Sequence, residues 1–158
     1  MTVVSNTTPL NYLVLIGRVE ILSVLYTHVI IPQAVFHELT SDRTPGTVRA
    51  CVMNAPAWLA VEQTHDITDS ELQGIQIGER QTILLAQQLR SDFVILDDRK
   101  ARRIANDRGL NVIGTLGILT AADEKGLIRL NEALDDLKQT NFRASSGLLH
   151  LLQHQREE

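Results

Sequence analysis

Asp97 and Asp98 close an apolar run and open a basic one, in the order Phe93-Val94-Ile95-Leu96-Asp97-Asp98-Arg99-Lys100-Ala101-Arg102-Arg103. Adjacent carboxylates can hold a hard divalent cation, and the cations beside them can hold a polyanion. Apolar, β-favouring residues that stop at acids read as a buried parallel strand delivering those acids to its carboxyl edge. Open α/β sheets place their chemistry at that edge. Asn6 is expected there too, after a first strand, with Glu79 in the first turn of a helix that follows Gly78 and Glu38 late in a helix that begins at Pro32. Asn6, Glu38, Glu79, Asp97 and Asp98 would make a pocket of oxygen ligands without Cys or His, which suits Mg²⁺ or Mn²⁺ rather than zinc. Carboxylates crowded together repel one another, and a bound cation relieves that repulsion. Arg80, Arg99, Lys100, Arg102 and Arg103 flank the acids in sequence and are the candidate nucleic-acid contacts, reaching phosphates on either side.

Each of these residues also has a purely structural reading. Asp97 or Asp98 can cap the helix that starts at Arg99, Glu79 can complement a helix dipole, and Glu38 can sit on a solvated helix face. Asn6 suits an Asx turn or an N-cap ahead of Pro9. The basic residues can face solvent. The functional reading rests on the joint arrangement, so the elements that would bring these residues together matter most.

Val3-Val4 centre a short first strand, and Ser5 to Pro9 supply turn and cap chemistry with Pro9 at the first helical position. Helices are expected over 10–16 and 19–25, a β-branched strand over 29–31, a helix from Pro32 to about Thr40, a loop over 41–46, a short helix over 47–53 and a strand over 58–61. Residues 63–78 lack periodicity apart from a helical turn near 70–73. An amphipathic helix over 79–90 carries Ile83, Leu84 and Ala86 on one stripe. The strand of the opening follows, then a helix over 99–108 closed by Gly109, a strand over 111–113, a helix from Thr115 to near Gly126, and helices over 131–139 and 145–155. Alternating strands and helices with short links predict an α/β fold, a small central parallel sheet of four to five strands flanked by helices on both faces. One domain is expected over 1–156, with a helical packing segment from about 130 to 156 and fraying at Arg156-Glu157-Glu158.

Fifteen Lys and Arg against 19 Asp and Glu leave a formal charge of −4, which excludes a protein that coats DNA with a wholly positive surface. Cys51 is the only cysteine, so no intrachain disulfide forms, and it is expected to be a small buried residue in a reducing compartment. The amino-terminal segment lacks signal-peptide character, and no apolar run approaches the roughly 20 residues that span a bilayer. A cytoplasmic location with no membrane partner is expected. Trp58, Tyr12, Tyr26 and the three phenylalanines read as scattered core residues rather than a base-stacking platform. His150 and His154 share a helix face at i,i+4 spacing, yet without a third ligand they make a poor zinc site. His37 reads as structural.

Five segments together resemble the PIN-domain family, in the PIN-like branch that supplies the toxin of bacterial and cyanobacterial toxin-antitoxin pairs. They are Val3-Val4-Ser5-Asn6-Thr7-Thr8-Pro9-Leu10, Ile31-Pro32-Gln33-Ala34-Val35-Phe36-His37-Glu38-Leu39, Gly78-Glu79-Arg80-Gln81-Thr82-Ile83-Leu84-Leu85-Ala86, Ile95-Leu96-Asp97-Asp98-Arg99-Lys100-Ala101-Arg102, and Gly109-Leu110-Asn111-Val112-Ile113-Gly114-Thr115-Leu116-Gly117-Ile118-Leu119. Their order and spacing carry the likeness, which extends through Gly126-Leu127-Ile128. The resemblance implies a PIN-like fold and Mg²⁺- or Mn²⁺-dependent cleavage of RNA. It matches Glu38, Glu79 and Asp98 to the acidic positions that bind metal or position water, with Asp97 as a near neighbour. It also implies single-stranded or structured RNA, a small antitoxin protein and a homodimer as partners. The chain departs from the family at Asn6, where an aspartate is usual, and so loses one negative charge from the site.

Three rivals differ in their sequence requirements. A phosphorylatable receiver domain needs an acidic pair after the first strand, where Asn6-Thr7 stands, and a nucleotide-binding module needs a glycine-rich phosphate loop that is absent. The strongest rival keeps the fold and loses the chemistry: a catalytically weakened or inactive PIN-like protein that binds RNA or an antitoxin.

Overall fold

Alternation along the strands sets the layers. Val3 and Ile95 join one apolar cluster, while Val4, Val94 and Leu96 join another, as expected of side chains that point to opposite faces at successive positions. The computed structural model describes residues 1–142. Its strands are β1 (Val3–Ser5), β2 (Val29–Pro32), β3 (Leu59–Glu62), β4 (Phe93–Ile95) and β5 (Val112–Ile113), all parallel, in the order β3-β2-β1-β4-β5. The helices are α1 (Thr7–Leu15), α2 (Ile21–Tyr26), α3 (Gln33–Leu39), α4 (Gly46–Met53), α5 (Ile77–Leu89), α6 (Arg99–Asp107), α7 (Thr115–Glu124) and α8 (Leu130–Lys138), with a 3₁₀ turn at Ser70–Gly74. Apolar residues of α5 and α6, with Leu72, cover one face, and those of α1, α2, α3, α4, α7 and α8 cover the other. This is the expected α/β architecture, at the upper end of the expected strand number.

The chain steps outward from β1 to β2 and β3, then returns across β1 to place β4 and β5 on its other side. That reversal leaves a crevice outside the carboxyl ends of β1 and β4, the usual ligand position in such sheets. Val3, Val4 and Ser5 pair with Phe93, Val94 and Ile95, and the amide of Asn6 extends the ladder by donating to the Ile95 carbonyl at 3.0 Å. Asn6 and the acids after β4 therefore share one edge. A one-residue slip would turn Val4 and Val94, both fully buried, toward the wrong layer, and each buried aliphatic side chain contributes about 1.5–3 kcal/mol.

Several boundaries differ from those expected. Helix α1 begins at Thr7, so Pro9 is its third residue rather than its first. Amide groups in the first turn have no intrahelical acceptor, which makes the missing N–H of Pro9 harmless there. Pro32 ends β2 and precedes α3 in an extended conformation, φ −73° and ψ 162°. Helix α5 starts at Ile77, where the Gln76 backbone N–H donates to Glu79 Oε1 at 3.1 Å. Gly109 terminates α6 as expected: its φ of +78° lets Leu110 N–H reach back to the Ala105 carbonyl at 3.1 Å. Cys51 is half-buried rather than buried.

The irregular stretch between β3 and α5 is held from α6. Arg108 donates to Glu71 Oε1 at 2.9 Å, to Asp69 Oδ1 at 3.0 Å and to Gln87 Oε1 at 3.0 Å. The guanidinium keeps the Asp69 carboxyl below its ordinary range through that hydrogen bond. No helix among the described residues is long and apolar enough to cross a membrane. The helix expected at 145–155, with His150 and His154, and the terminal Arg156-Glu157-Glu158 lie outside the described residues.

Candidate functional site

A cavity of about 1470 Å³ opens at the switch point, and its wall includes Asn6, Glu38, Glu79, Asp97 and Asp98. Asn6 sits between β1 and α1 in an N-cap backbone geometry, yet its side chain caps nothing. It is 5% exposed, and its Oδ1 has no hydrogen-bond partner among the described residues. An unpaired buried acceptor costs about 1–3 kcal/mol, a cost that a partner entering from the cavity would offset.

Glu38 stands in the last turn of α3, where the helix dipole is negative and an acid is the wrong sign for stability. Thr7 Oγ1 donates to its Oε2 at 2.8 Å. Gly78 makes room beside it: a Cβ there would lie 3.2 Å from Glu38 Oε2 and 3.4 Å from Asn6 Oδ1. The two oxygens thus approach the backbone of α5 at the residue before Glu79.

Glu79 is 8% exposed and spends Oε1 on the Gln76 amide. Burial pushes its carboxyl above its ordinary value, and the charges of Asp98 and Glu38 push it the same way, against the lowering effect of the Gln76 hydrogen bond. Asp98 caps α6 by accepting from Ala101 N–H at 2.9 Å. Its structural reading therefore holds, and it still lies near enough to Glu79 for its charge to raise that carboxyl.

Asp97 is placed differently from its neighbour. Thr115 donates its N–H to Oδ1 at 2.7 Å and its hydroxyl to Oδ2 at 2.6 Å, tying the β4 exit to the start of α7. Burial raises the Asp97 carboxyl, while the Thr115 hydrogen bonds and the charge of Arg102 oppose the rise. A Cβ on Gly114 would come within 2.9 Å of Asp97 Oδ1 and would displace the Arg102 guanidinium, so glycine here leaves room for both side chains.

Of the basic candidates, Arg99, Arg102 and Arg103 line the cavity. Arg102 also donates to the Leu96 carbonyl at 3.3 Å. Arg80 and Lys100 are not in that wall: Arg80 donates to Asp66 at 3.3 Å, and Lys100 donates to the Gly74 carbonyl at 3.3 Å. Among the described residues no group of three or more His, Cys, Asp or Glu forms a ready-made metal cage.

A family model described as a PIN domain matches residues 2–158. The chain belongs to the PIN-domain family. No curated protein and no solved structure matches it. The PIN domain has a nuclease-like fold, and members of the family generally use divalent metals. The donor chemistry fits such an ion: carboxylates and one amide carbonyl, the amide oxygen buried and without a partner, around a space that a Cβ on Gly78 would fill.

Sequence reasoning missed several residues of this PIN domain. Thr7, Gln76 and Thr115 orient Glu38, Glu79 and Asp97 in turn. The two threonines signalled only as hydroxyls at a helix start, and Gln76 acts through its backbone N–H, which any residue but proline supplies. Tyr12 and Phe142 pack against the core, as the reading of the aromatic residues as mostly core expects, but both are half-buried and also line the cavity. They meet from opposite ends of the described chain, which no local pattern reveals.

Proposed function

We propose that this PIN domain is a divalent-cation-dependent endoribonuclease, the toxin component of a toxin-antitoxin pair, acting on single-stranded or structured RNA in the cytoplasm. The carrying observation is the unpaired, buried Asn6 Oδ1 beside Glu38 Oε2 at the Gly78 opening, next to a Glu79 whose carboxyl is raised by its acidic neighbours. Asn6, Glu38, Glu79 and Asp98 would hold Mg²⁺ or Mn²⁺. When bound, the ion would neutralise charge at the scissile phosphate and favour an ionised water as nucleophile.

The chain's own residues do the rest. Glu79, whose carboxyl is raised above its ordinary value by burial and by its acidic neighbours, is the group best suited to take a proton from water. Thr7 and Gln76 fix the orientations of Glu38 and Glu79, so that little reorganisation accompanies reaction. Arg99, Arg102 and Arg103 offset the repulsion between acidic wall and RNA by contacting phosphates. Asp97 holds the floor of the cavity through Thr115. A small antitoxin and a second copy of the chain are the partners this reading carries.

Asn6 itself favours a second reading. Its neutral amide and the lack of a ready-made cage of acids support a weakened member that binds RNA or an antitoxin without cutting. Incubating an RNA pool with wild type and Asp98→Asn, with and without Mn²⁺, separates the two. Cation-dependent cleavage that Asp98→Asn abolishes supports the nuclease. Equal turnover by both proteins assigns cleavage elsewhere, and none by either supports the binding module.

A further inference from the structure

The cavity that carries the acids also carries an aromatic wall. Tyr12 and Phe142 meet edge to face, with centroids 5.0 Å apart and planes at 83°. Tyr12 Oη donates to Asn141 Oδ1 at 2.8 Å, which helps fix the orientation of its ring. Leu116, from the first turn of α7, continues the apolar surface. All three are half-buried and pack against the core on one side while lining the cavity on the other.

We propose that Tyr12, Leu116 and Phe142 form a docking wall for an unpaired nucleobase adjacent to the scissile phosphate. The occupant follows from what else lines the same space: guanidinium groups of Arg99, Arg102 and Arg103 for phosphates, and oxygen ligands for a cation. A nucleotide carries those two chemistries, an anionic phosphate and a flat π-face, at short separation. Base stacking on aromatic side chains needs an unstacked base, so the wall selects single-stranded segments, loops or bulges over A-form duplex. The inference rests on the nuclease reading and narrows its substrate class.

The test compares the full-length chain binding a fluorescent single-stranded RNA and the same oligomer with abasic sites, in EDTA, where no cation-dependent hydrolysis runs. Wild type is expected to prefer the intact RNA by about tenfold or more. Phe142→Ala should equalise the two affinities, and Phe142→Tyr should restore the preference by returning the ring. Equal affinity of wild type for both oligomers, or for neither, overturns the wall, whether or not the alanine variant folds. Cleavage of the intact RNA in Mn²⁺ is scored separately. A base preference without cleavage keeps the wall and removes the nuclease, while cleavage without a base preference does the reverse.

Discussion

Thr7 Oγ1 donates to Glu38 Oε2 at 2.8 Å, joining the first turn of α1 to the last turn of α3. The bond explains how an acid is kept at the unfavourable end of a helix dipole. It also aims the carboxylate at Gly78 and Asn6, so that three elements leaving different strands converge on one opening.

Gly78→Ala tests that opening. In an ordinary helix the change would stabilise by about 0.5–1 kcal/mol. Here the new methyl would press on Glu38 Oε2 and Asn6 Oδ1, 3.2 and 3.4 Å away. Chemical denaturation is expected to show a stability change within about 1 kcal/mol. Calorimetry is expected to show Mn²⁺ affinity down by roughly tenfold or more. Unchanged affinity would mean the opening holds no ion.

Asn6→Asp adds a charge where the unpaired oxygen lies. Two unit charges 4 Å apart at an effective dielectric near 20 interact by roughly 4 kcal/mol before desolvation is counted, so Mn²⁺ should bind at least about tenfold more tightly. The same charge would share the Gly78 opening with Glu38 without relief in EDTA. The melting temperature of Asn6→Asp should therefore fall below wild type in EDTA and rise above it in Mn²⁺. Parallel melting curves in both buffers would remove position 6 from the ligand set.

The raised carboxyl of Glu79 makes a pH prediction for the cation-free protein. A folded-state value above the ordinary 4.5 means that the native state binds this proton more tightly than the unfolded state does. Stability should then decline as pH rises from about 4.5 through the raised value and level off above it, because the ionised form is the disfavoured one. Asp97, also raised, contributes in the same direction from a lower starting point. Glu79→Gln keeps an acceptor for the Gln76 amide and should flatten the decline. Urea melts of both proteins across that range, in EDTA, provide the measurement.

Much of the architecture was legible because each strand is short, β-branched and bounded by cap or turn residues. Val3-Val4 and Phe93 to Leu96 could only be buried strands, and their parallel pairing brings Asn6 to Asp97 and Asp98 without further information. Helix starts were less legible, since Pro9 is tolerated anywhere in a first turn. Gly78 and Gly114 gave no signal because they act through space left empty beside residues distant in sequence. The directions of Arg80 and Lys100 were likewise hidden: each is drawn to the 63–78 segment, whose path no periodicity predicts.

Asp97 and Asp98 are adjacent in sequence and should fail in opposite ways. Asp97 accepts from both donors of Thr115, a fully buried residue, so Asp97→Ala strands an N–H and a hydroxyl at a cost of about 1–3 kcal/mol. Thr115→Val removes only the hydroxyl and should cost less, which ties the loss to the hydrogen bonds rather than to the charge. Asp98 caps α6, and asparagine caps about as well, so Asp98→Asn should shift stability by no more than about 0.5 kcal/mol. RNA cleavage should nonetheless disappear in Asp98→Asn, because the side chain that faces Glu79 has lost its charge. Denaturation curves and cleavage assays on the three variants decide the matter. Were Asp97→Ala as stable as wild type, the Thr115 clamp would have no energetic role, and Asp97 would return to the acids facing the ion.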